Sequence, residues 1–432
     1  MSFIEPPVNL IEPSLFLASL ARQMRCNEGE DMMITMKSTR LLAIALLSGV
    51  GSLHAAHAES NADKGARAPE ATAAEAEGTF RDVPLLEQIF IDTTPADRGD
   101  AIPVGTLGVD GGDVGKIVTL AKEIADDKHG RYDSLLIAHK GKLVFESYNR
   151  RGRINLAHPQ ASSVKGYTGL LLGRAIQLGY LTMDDLDKPL VHFLKDLDPS
   201  KFAAGAENIT LHKALTMHGG LNVDDEKWKE LEKDPAPLQG QGLVQTLLEQ
   251  TEPITPESQV YRYGNFNPMM VMTVIDALVP GGAEAFIKTE FLDRMGISNY
   301  SWDTHVSGLP QAGWMVSQTS RDMLKWGSVV LNEGQWNGEQ LISADYLDKA
   351  TSGLVKPTLD WMPETYRYGY FWYQRPIIVG DTSYDTTWAW GGGGQYVIAV
   401  DALDLNIVIT GHDRDDKIMT QVAEVIVPAF VE

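Results

Sequence analysis

Residues 162–165 read Ser162-Ser163-Val164-Lys165, the single Ser-x-x-Lys of this 432-residue chain. Beyond Ser162, apolar residues recur with a helical period as far as Leu178, and Gly179 is a typical residue to follow a helix C-terminus. A serine and a lysine three positions apart share one helix face. A serine becomes a nucleophile when a neighbour takes its proton, and a lysine can do so once burial or nearby positive charge lowers its pKa. The stretch therefore predicts a nucleophile and its base on one helical turn. Alternatively, the motif lies on a surface helix and has no function.

Working outward, residues 134–147 predict a β-hairpin that turns at Lys140-Gly141-Lys142. The region 180–345 is patterned as mostly helical. Strand-like composition returns near the C-terminus, at 366–373, 395–400 and 406–410, and a final amphipathic helix is predicted at 417–427. Strands at both ends with helices between predict an α/β (α+β) fold: an antiparallel sheet from the N- and C-terminal segments, flanked by helices, plus an inserted helical domain.

Composition narrows the function. The net charge of −21 and the lack of any Lys/Arg-rich run argue against nucleic acid as a partner and favour a small-molecule substrate. The single cysteine, Cys26, excludes an intramolecular disulfide. The histidines form no His-x-His-x-Asp or His-Glu-x-x-His pattern, so we expect no metal and no cofactor. The absence of Gly-x-Ser-x-Gly excludes the nucleophile elbow of α/β-hydrolases.

The N-terminal part predicts export. Lys37 and Arg40 precede an apolar run at 41–50 and a small-x-small site at 56–58, which is the order of a secretory signal peptide, 36–58. We therefore expect residues 1–35 to be a non-native extension before a start at Met36. Residues 59–83 read as a disordered linker, and 84–432 as the folded domain. The expected protein is periplasmic or secreted, with no stable membrane span after signal cleavage.

Two further segments carry chemistry. Tyr263-Gly264-Asn265 is the single Tyr-x-Asn of the chain; its tyrosine could relay a proton and its asparagine could orient a lysine or a carbonyl. Alternatively, they are a buried tyrosine and a capping asparagine. The segment 390–395, Trp-Gly-Gly-Gly-Gly-Gln, permits close backbone approach and could supply an oxyanion-hole N–H; otherwise it is a flexible loop.

The order of these three segments resembles the serine β-lactamase/penicillin-recognising family, in particular its class C-like branch of esterases, D-aminopeptidases and 6-aminohexanoate-dimer hydrolases. The hairpin at 134–146 looks like the family's opening hairpin. Residues 215–221, Leu-Thr-Met-His-Gly-Gly-Leu, are similar to its Leu-Thr-Met-x-Ser-Gly-Leu segment. Gly391-x-Gly393-Gly394-Gln395 is similar to the Gly-x-Gly-Gly-Gln of the 6-aminohexanoate-dimer hydrolase-like members. The resemblance covers about residues 84–430.

The resemblance implies roles by position. Ser162 would be the acylated nucleophile, Lys165 would take part in its deprotonation, and Tyr263 would relay the proton to the leaving group. Which of Lys165 and Tyr263 is the acylation base stays open. Asn265 would contact the lysine or substrate.

The oxyanion hole would combine the Ser162 N–H with a backbone N–H near Gly393, and Asn265, Trp390 and Gly392 are the further oxyanion-hole or substrate-binding candidates. The family's Lys-Thr-Gly falls on Trp390, Gly391 and Gly392, which removes a positive charge that β-lactamases use for the substrate carboxylate. His218-Gly219 stands where the family segment has x-Ser, and the sequence suggests no role for His218.

The leading interpretation is an exported serine hydrolase that cleaves an ester or amide bond through an acyl-enzyme on Ser162. The alternatives are a β-lactamase or D-Ala-D-Ala carboxypeptidase, and a non-catalytic ligand-binding or sensor protein of the same fold.

Overall fold

The computed structural model describes residues 67–359, 362–413 and 417–431. Nearly all of them belong to one compact unit, formed by residues 66–358 and 364–432. The predicted extension 1–35, the predicted signal peptide 36–58 and Cys26 lie outside the described residues.

The strands are β1 Phe90–Asp92, β2 Tyr132–His139, β3 Lys142–Tyr148, β4 His158–Pro159, β5 Tyr300–Trp302, β6 Val316–Gln318, β7 Gln335–Trp336, β8 Glu339–Gln340, β9 Arg367–Tyr368, β10 Tyr373–Val379, β11 Thr382–Gly391, β12 Gln395–Val400 and β13 Leu405–Gly411. The helices are α1 Ala73–Glu77, α2 Val114–Ala125, α3 Val164–Gln177, α4 Leu211–Leu215, α5 Asp225–Lys233, α6 Gly242–Gln250, α7 Phe266–Leu278, α8 Gly282–Leu292, α9 Ser320–Leu331, α10 Ala344–Thr351 and α11 Ile418–Phe430. Within the described ranges no single helix is long and apolar enough to cross a bilayer, and the one helix pair that passes by length and composition, α7 with α8, is bent by 87°.

The main sheet has eight strands in the order β1-β3-β2-β13-β12-β11-β10-β9, and the neighbouring strands pair antiparallel. Its N-terminal strands meet its C-terminal strands where β2 pairs with β13, from Leu405 opposite His139 to Gly411 opposite Tyr132. Every residue of β2, β12 and β13 is buried. The predicted fold class is therefore confirmed: one antiparallel sheet is built from both ends of the chain.

The predicted hairpin is β2 and β3, and its two turn residues, Lys140 and Gly141, have φ values of 51° and 72°. Positive φ at both central positions is the geometry of a type I′ turn, whose twist matches that of the flanking strands. The glycine at the second position is needed because it tolerates this backbone at little cost.

Helix α3 lies in the interior, and every residue from Val164 to Ala175 is buried. Its glycines permit close packing: a Cβ on Gly166 would lie 3.0 Å from the Ala389 side chain of β11. Helix α7 packs against α3 as well. The helix ends as predicted, with Gly179 at φ 77° and the Tyr180 N–H bonded to the Ala175 carbonyl. The Ser162–Lys165 motif is thereby fixed between the sheet and the helical region.

The aromatic run 366–373 is interrupted, although its composition predicts a strand. Strands β9 and β10 are separated by a turn in which Phe371 has φ 66°. Gly369 sits in this turn, where a Cβ would lie 2.0 Å from the Ala350 carbonyl oxygen. Close passage past α10 therefore bends the chain here, which composition cannot reveal.

The prediction of a disordered linker over 59–83 is wrong for residues 67–83. This segment contains α1 and a 3-10 turn, Phe80–Asp82, each with a capping box at its N-terminus. Asn155 exchanges two hydrogen bonds with the Ala71 backbone, and the Phe80 ring packs at 4.1 Å against that of His158. Tertiary contacts order a segment that lacks apolar periodicity.

The predicted helical insert, 180–345, also contains the short strands β5 to β8. Its last helix, α9, packs against β2, β12 and β13. Thr319 is the N-cap of α9, because its hydroxyl accepts a hydrogen bond from the Asp322 N–H; the return bond that would complete a capping box runs instead from the Thr319 hydroxyl to the Asp322 carboxylate. The C-terminal part of the region therefore belongs to the layer that covers the sheet.

Candidate active site

Ser162 lies in a 3-10 turn, Ala161–Ser163, directly before α3. Ala161 has φ 46°, a backbone conformation that costs a non-glycine residue free energy and is enriched at functional sites. The Ser163 hydroxyl donates to the Gln160 carbonyl at 2.8 Å, and the Tyr167 hydroxyl donates to the Gln160 side chain at 3.0 Å. These bonds fix the turn, while Ser162 itself remains partly exposed and accessible to a substrate.

Lys165 is 2% exposed, and its Nζ donates to the Ser162 Oγ at 3.1 Å and to the Gly313 carbonyl at 3.2 Å. Burial lowers the pKa of Lys165 from 10.5 to about 7. Burial has this effect because it penalises the charged ammonium form. Near neutral pH a large fraction of the amine is therefore uncharged and able to accept the Ser162 proton.

Tyr263 lies beside both residues and is partly buried. The Lys165 Nζ is 4.9 Å from the centroid of its ring. Burial raises the pKa of Tyr263 to about 12, and hydrogen bonding with Ser162 and Tyr373 opposes this rise to a smaller extent. Tyr263 thus keeps its proton at neutral pH, which suits a proton donor or relay better than a standing base.

Asn265 precedes α7 as its N-cap residue, and its side chain makes no capping hydrogen bond. Gly313 places Asn265 close to Lys165: a Cβ there would lie 3.1 Å from the Asn265 Oδ1 and 3.2 Å from the Lys165 Nζ. Gly313 is a site residue that sequence reasoning missed. No motif surrounds it, and its importance arises from contact with chain distant in sequence.

The glycine segment forms the turn between β11 and β12, with Gly393 and Gly394 at φ 95° and 97°. Gly391 makes the close approach to the nucleophile turn, because a Cβ on it would lie 2.2 Å from the Gln160 carbonyl oxygen. The Gly393 carbonyl accepts a hydrogen bond from the Asp413 N–H at 3.0 Å, beyond the end of β13. The predicted oxyanion-hole contributions of Gly392 and Gly393 stay predictions.

Trp390 is connected to the site through Tyr373, a second residue that the sequence did not single out. The Trp390 ring lies 5.7 Å from that of Tyr373, and Tyr373 forms the interaction with Tyr263 described above. Tyr373 belongs to the aromatic run 366–373, and composition alone does not distinguish it from the other aromatic residues of that run. The aromatic rings of Trp390 and Tyr373 therefore occupy the region where the family pattern has a lysine.

Two exposed apolar side chains follow Gly313 directly: Trp314 is 36% exposed and Met315 is 43% exposed. The Gly313 carbonyl that precedes them binds the Lys165 Nζ. We call this exposed pair, Trp314 and Met315, the apolar rim.

His218 packs edge-on against Tyr261, with 6.0 Å between ring centroids, and its Nδ1 donates to the Thr216 carbonyl at 2.7 Å. Burial lowers the pKa of His218 and favours the neutral ring. The neighbouring Met217 carbonyl accepts from the Arg262 N–H at 2.8 Å. His218 therefore stabilises the chain that leads to Tyr263. No group of His, Cys, Asp and Glu side chains suited to a metal ion occurs in the described part of the chain.

A family model for beta-lactamases matches residues 119–417 of this chain. The chain belongs to the beta-lactamase family. The match includes Ser162, Lys165, Tyr263, Asn265 and the glycine turn. The resemblance predicted from the three motifs is therefore confirmed. No curated protein sequence matches this member of the family.

Solved structures share the fold of this beta-lactamase-family protein at low sequence identity. One is assigned as a 6-aminohexanoate-dimer hydrolase from Bacillus anthracis, with TM-score 0.56, 18% identity, and coverage of 71% of this chain and 80% of that one. A class C beta-lactamase has TM-score 0.54, 15% identity, and coverage of 73% and 96%. A D-stereospecific amidohydrolase from Streptomyces sp. has TM-score 0.53, 14% identity, and coverage of 72% and 98%. At these identities the likeness shows the fold alone.

Proposed function

We propose that this protein is a serine hydrolase that cleaves an ester or amide bond through a covalent acyl-enzyme on Ser162. The observation that carries the proposal is the 3.1 Å contact between the Ser162 Oγ and the Nζ of a buried lysine whose pKa is about 7. A nucleophile within hydrogen-bond reach of its base, with the base oriented by a third group, is the general arrangement of covalent hydrolases. Here the Gly313 carbonyl orients the base.

The proposed acylation begins with uncharged Lys165. As the Ser162 Oγ attacks the carbonyl carbon, its proton passes to the Lys165 Nζ and an oxyanion forms. Tyr263, which is protonated at neutral pH, donates its proton to the leaving oxygen or nitrogen and is reprotonated by Lys165. Water then attacks the acyl-enzyme by the reverse proton path and releases the acid. Of the two candidate bases, the lower pKa favours Lys165 for acylation.

The proposed substrate is uncharged and apolar next to the scissile bond. Trp390 stands where the family pattern has a lysine, so this position supplies no cation for a substrate carboxylate. Trp314 and Met315 are exposed and directly follow Gly313, whose carbonyl binds Lys165, and we propose that they give the substrate apolar contact. Both features favour esters or amides over β-lactams.

Intact mass spectrometry tests the proposal. We would incubate wild type and Ser162→Ala with a fluorophosphonate probe and with a penicillin, and measure hydrolysis of p-nitrophenyl esters and nitrocefin. We expect a fluorophosphonate adduct on wild type that Ser162→Ala lacks, together with ester turnover. If no probe gives a Ser162-dependent adduct, the acyl-enzyme proposal fails and a binding protein of the same fold becomes the better explanation. Rapid nitrocefin turnover with weak ester activity would support a β-lactamase.

We also propose that the protein is exported, on the strength of the signal-peptide pattern at 36–58. N-terminal sequencing of the protein recovered from outside the cytoplasm is expected to begin at Glu59. A mature protein that retains Met1 would contradict both the signal peptide and the start at Met36.

A further inference from the structure

Three polar side chains outside the catalytic motifs form one cluster, which we call the His–Asp–His cluster: Asp133, His158 and His412. The same Asp133 oxygen, Oδ2, accepts from the His412 Nδ1 at 2.7 Å and from the His158 Nε2 at 3.2 Å. Asp133 is fully buried and His158 is 4% exposed, whereas the His412 side chain is 28% exposed. A buried carboxylate shared by two imidazoles is costly to assemble, since every charge must be compensated.

The two histidines stabilise the negative charge of Asp133. Hydrogen bonds and the charge of the two histidines lower the pKa of Asp133 against the opposing effect of burial, so it is an anion. Both ring nitrogens of His158 face oxygen acceptors, Asp133 on one side and the Pro159 carbonyl at 3.0 Å on the other. The His412 Nδ1 donates to the same carboxylate.

His158 connects the cluster to the nucleophile turn. It lies in β4, four residues before Ser162, and its carbonyl accepts from the Gln160 side chain at 2.8 Å. The Gln160 carbonyl in turn is the group that Gly391 approaches so closely.

His412 connects the cluster to the glycine turn. The preceding Gly411 carbonyl accepts from the Gln395 side chain at 2.6 Å, and the following Asp413 N–H donates to the Gly393 carbonyl at 3.0 Å. Asp133 thus joins the chain before Ser162 to the chain that contacts the glycine turn. The Phe80 ring covers both imidazoles, at 4.1 Å from His158 and 6.5 Å from His412.

We infer that the His–Asp–His cluster positions the glycine turn 391–394 against the Ser162 turn, and so sets the geometry in which the substrate carbonyl reacts. His412 and Asp133 are positioning residues, which act through the backbone of these two turns. For its kinetic consequence the inference rests on the proposed function. A shift of about 1 Å at a reacting centre can cost about 100-fold in rate, so a modest change in the cluster is measurable.

The test compares His412→Ala and His412→Asn with a matched control, His139→Ala. His139 is buried, bonds a backbone carbonyl as His412 bonds Asp133, and lies at the end of β2 opposite to Asp133. We expect His412→Ala to lower the kcat for p-nitrophenyl ester hydrolysis by about 10- to 100-fold with KM unchanged. His412→Asn is expected to recover most of this loss, because its amide N–H can donate to Asp133. His139→Ala is expected to lower stability without lowering kcat.

Hydrogen exchange of the same variants gives a readout independent of activity. Peptides covering 158–163 and 391–396 are expected to exchange faster in His412→Ala and not in His139→Ala. Wild-type kcat and exchange in His412→Ala, equal loss of kcat in the control, or no rescue by asparagine would each overturn the inference. If wild type forms no Ser162 adduct, the proposed function fails, while the exchange result still decides whether the cluster positions the two turns.

Discussion

At the scale of single residues, burial of Lys165 has opposite effects on activity and on stability. Its lowered pKa supplies an uncharged amine near pH 7. The same burial makes folding less favourable at any pH at which Lys165 is protonated in the unfolded chain and uncharged in the folded chain. Wild-type stability is therefore expected to rise with pH between about 7 and 10.5, the folded and ordinary values of this pKa.

Lys165→Met tests both effects. The variant is expected to lose acylation by about 100- to 10,000-fold, since the base is gone. It is also expected to be more stable than wild type at pH 6, on the order of a few kcal/mol, because at a pH below the folded pKa of about 7 the wild type must bury a charged ammonium and lose its hydration. Denaturant unfolding at pH 6 and pH 10 measures the difference, which should shrink at the higher pH. A less stable variant at pH 6 would contradict the cost of burying Lys165, and a wild-type acylation rate that does not increase with pH through about 7 would contradict its lowered pKa.

Substitution of Trp314 tests whether the apolar rim contacts the substrate. Trp314→Ala is expected to reduce the preference for long over short acyl chains by about tenfold, since removing an apolar contact changes selectivity by roughly 1–3 kcal/mol. A p-nitrophenyl ester series from acetate to decanoate measures the ratio of kcat/KM values. Ile378→Ala is the control, because Ile378 is 63% exposed on β10 and lies outside the site. Equal effects of the two substitutions would remove Trp314 from the substrate site.

The sequence predicted the residues that lie in short local patterns. Ser162 and Lys165 share a helical turn, and the contact between them follows from that spacing. Tyr263 and Asn265 were likewise found as a pair. Gly313 and Tyr373 were missed, because the neighbours that give them a role are distant along the chain. The same holds for Asp133, which the hairpin pattern presents as one more strand residue.

At the scale of elements, the site depends on how closely β11 approaches the nucleophile turn. Gly391→Ala introduces a Cβ at 2.2 Å from the Gln160 carbonyl oxygen, so the two elements must separate. We expect kcat to fall by about 100-fold or more, and a larger displacement of β11 from the Ser162 turn to cause a larger loss. Gly78→Ala is the control, because the nearest atom to its Cβ is 3.6 Å away. Unchanged ester hydrolysis by Gly391→Ala would show that this contact does not set the site.

Elements with a strong period or a turn signal were predicted well: the hairpin, α3 with its terminal glycine, and β12 are where the sequence indicates. The segment 67–83 was not, because capping boxes and backbone bonds to Asn155 order it, and neither gives a hydrophobic pattern. The break between β9 and β10 was missed for a similar reason. Its cause is the passage of Gly369 along α10, a contact between elements.

At the scale of the whole molecule, the net charge of −21 repels anionic substrates and attracts cationic ones. We expect kcat/KM for an anionic ester to be lower than for a neutral ester of the same size, and the ratio to approach one as ionic strength rises. Salt has this effect because the screening length falls to about 10 Å at 0.1 M. Measuring both esters across a salt series checks it. A ratio that does not respond to salt would place the discrimination in the site itself, at Trp390.

The pairing of β2 with β13 has a consequence for biosynthesis. His139 is opposite Leu405. The two central strands of the sheet are therefore distant in sequence, and β13 leaves the ribosome long after β2. The core cannot close until nearly the whole chain has been made, and contacts so distant in sequence are slow to form. Until then β2 and β3 expose apolar faces and unpaired edges, the features that attract chaperones and cause aggregation. The main sheet consequently cannot form until synthesis is nearly complete.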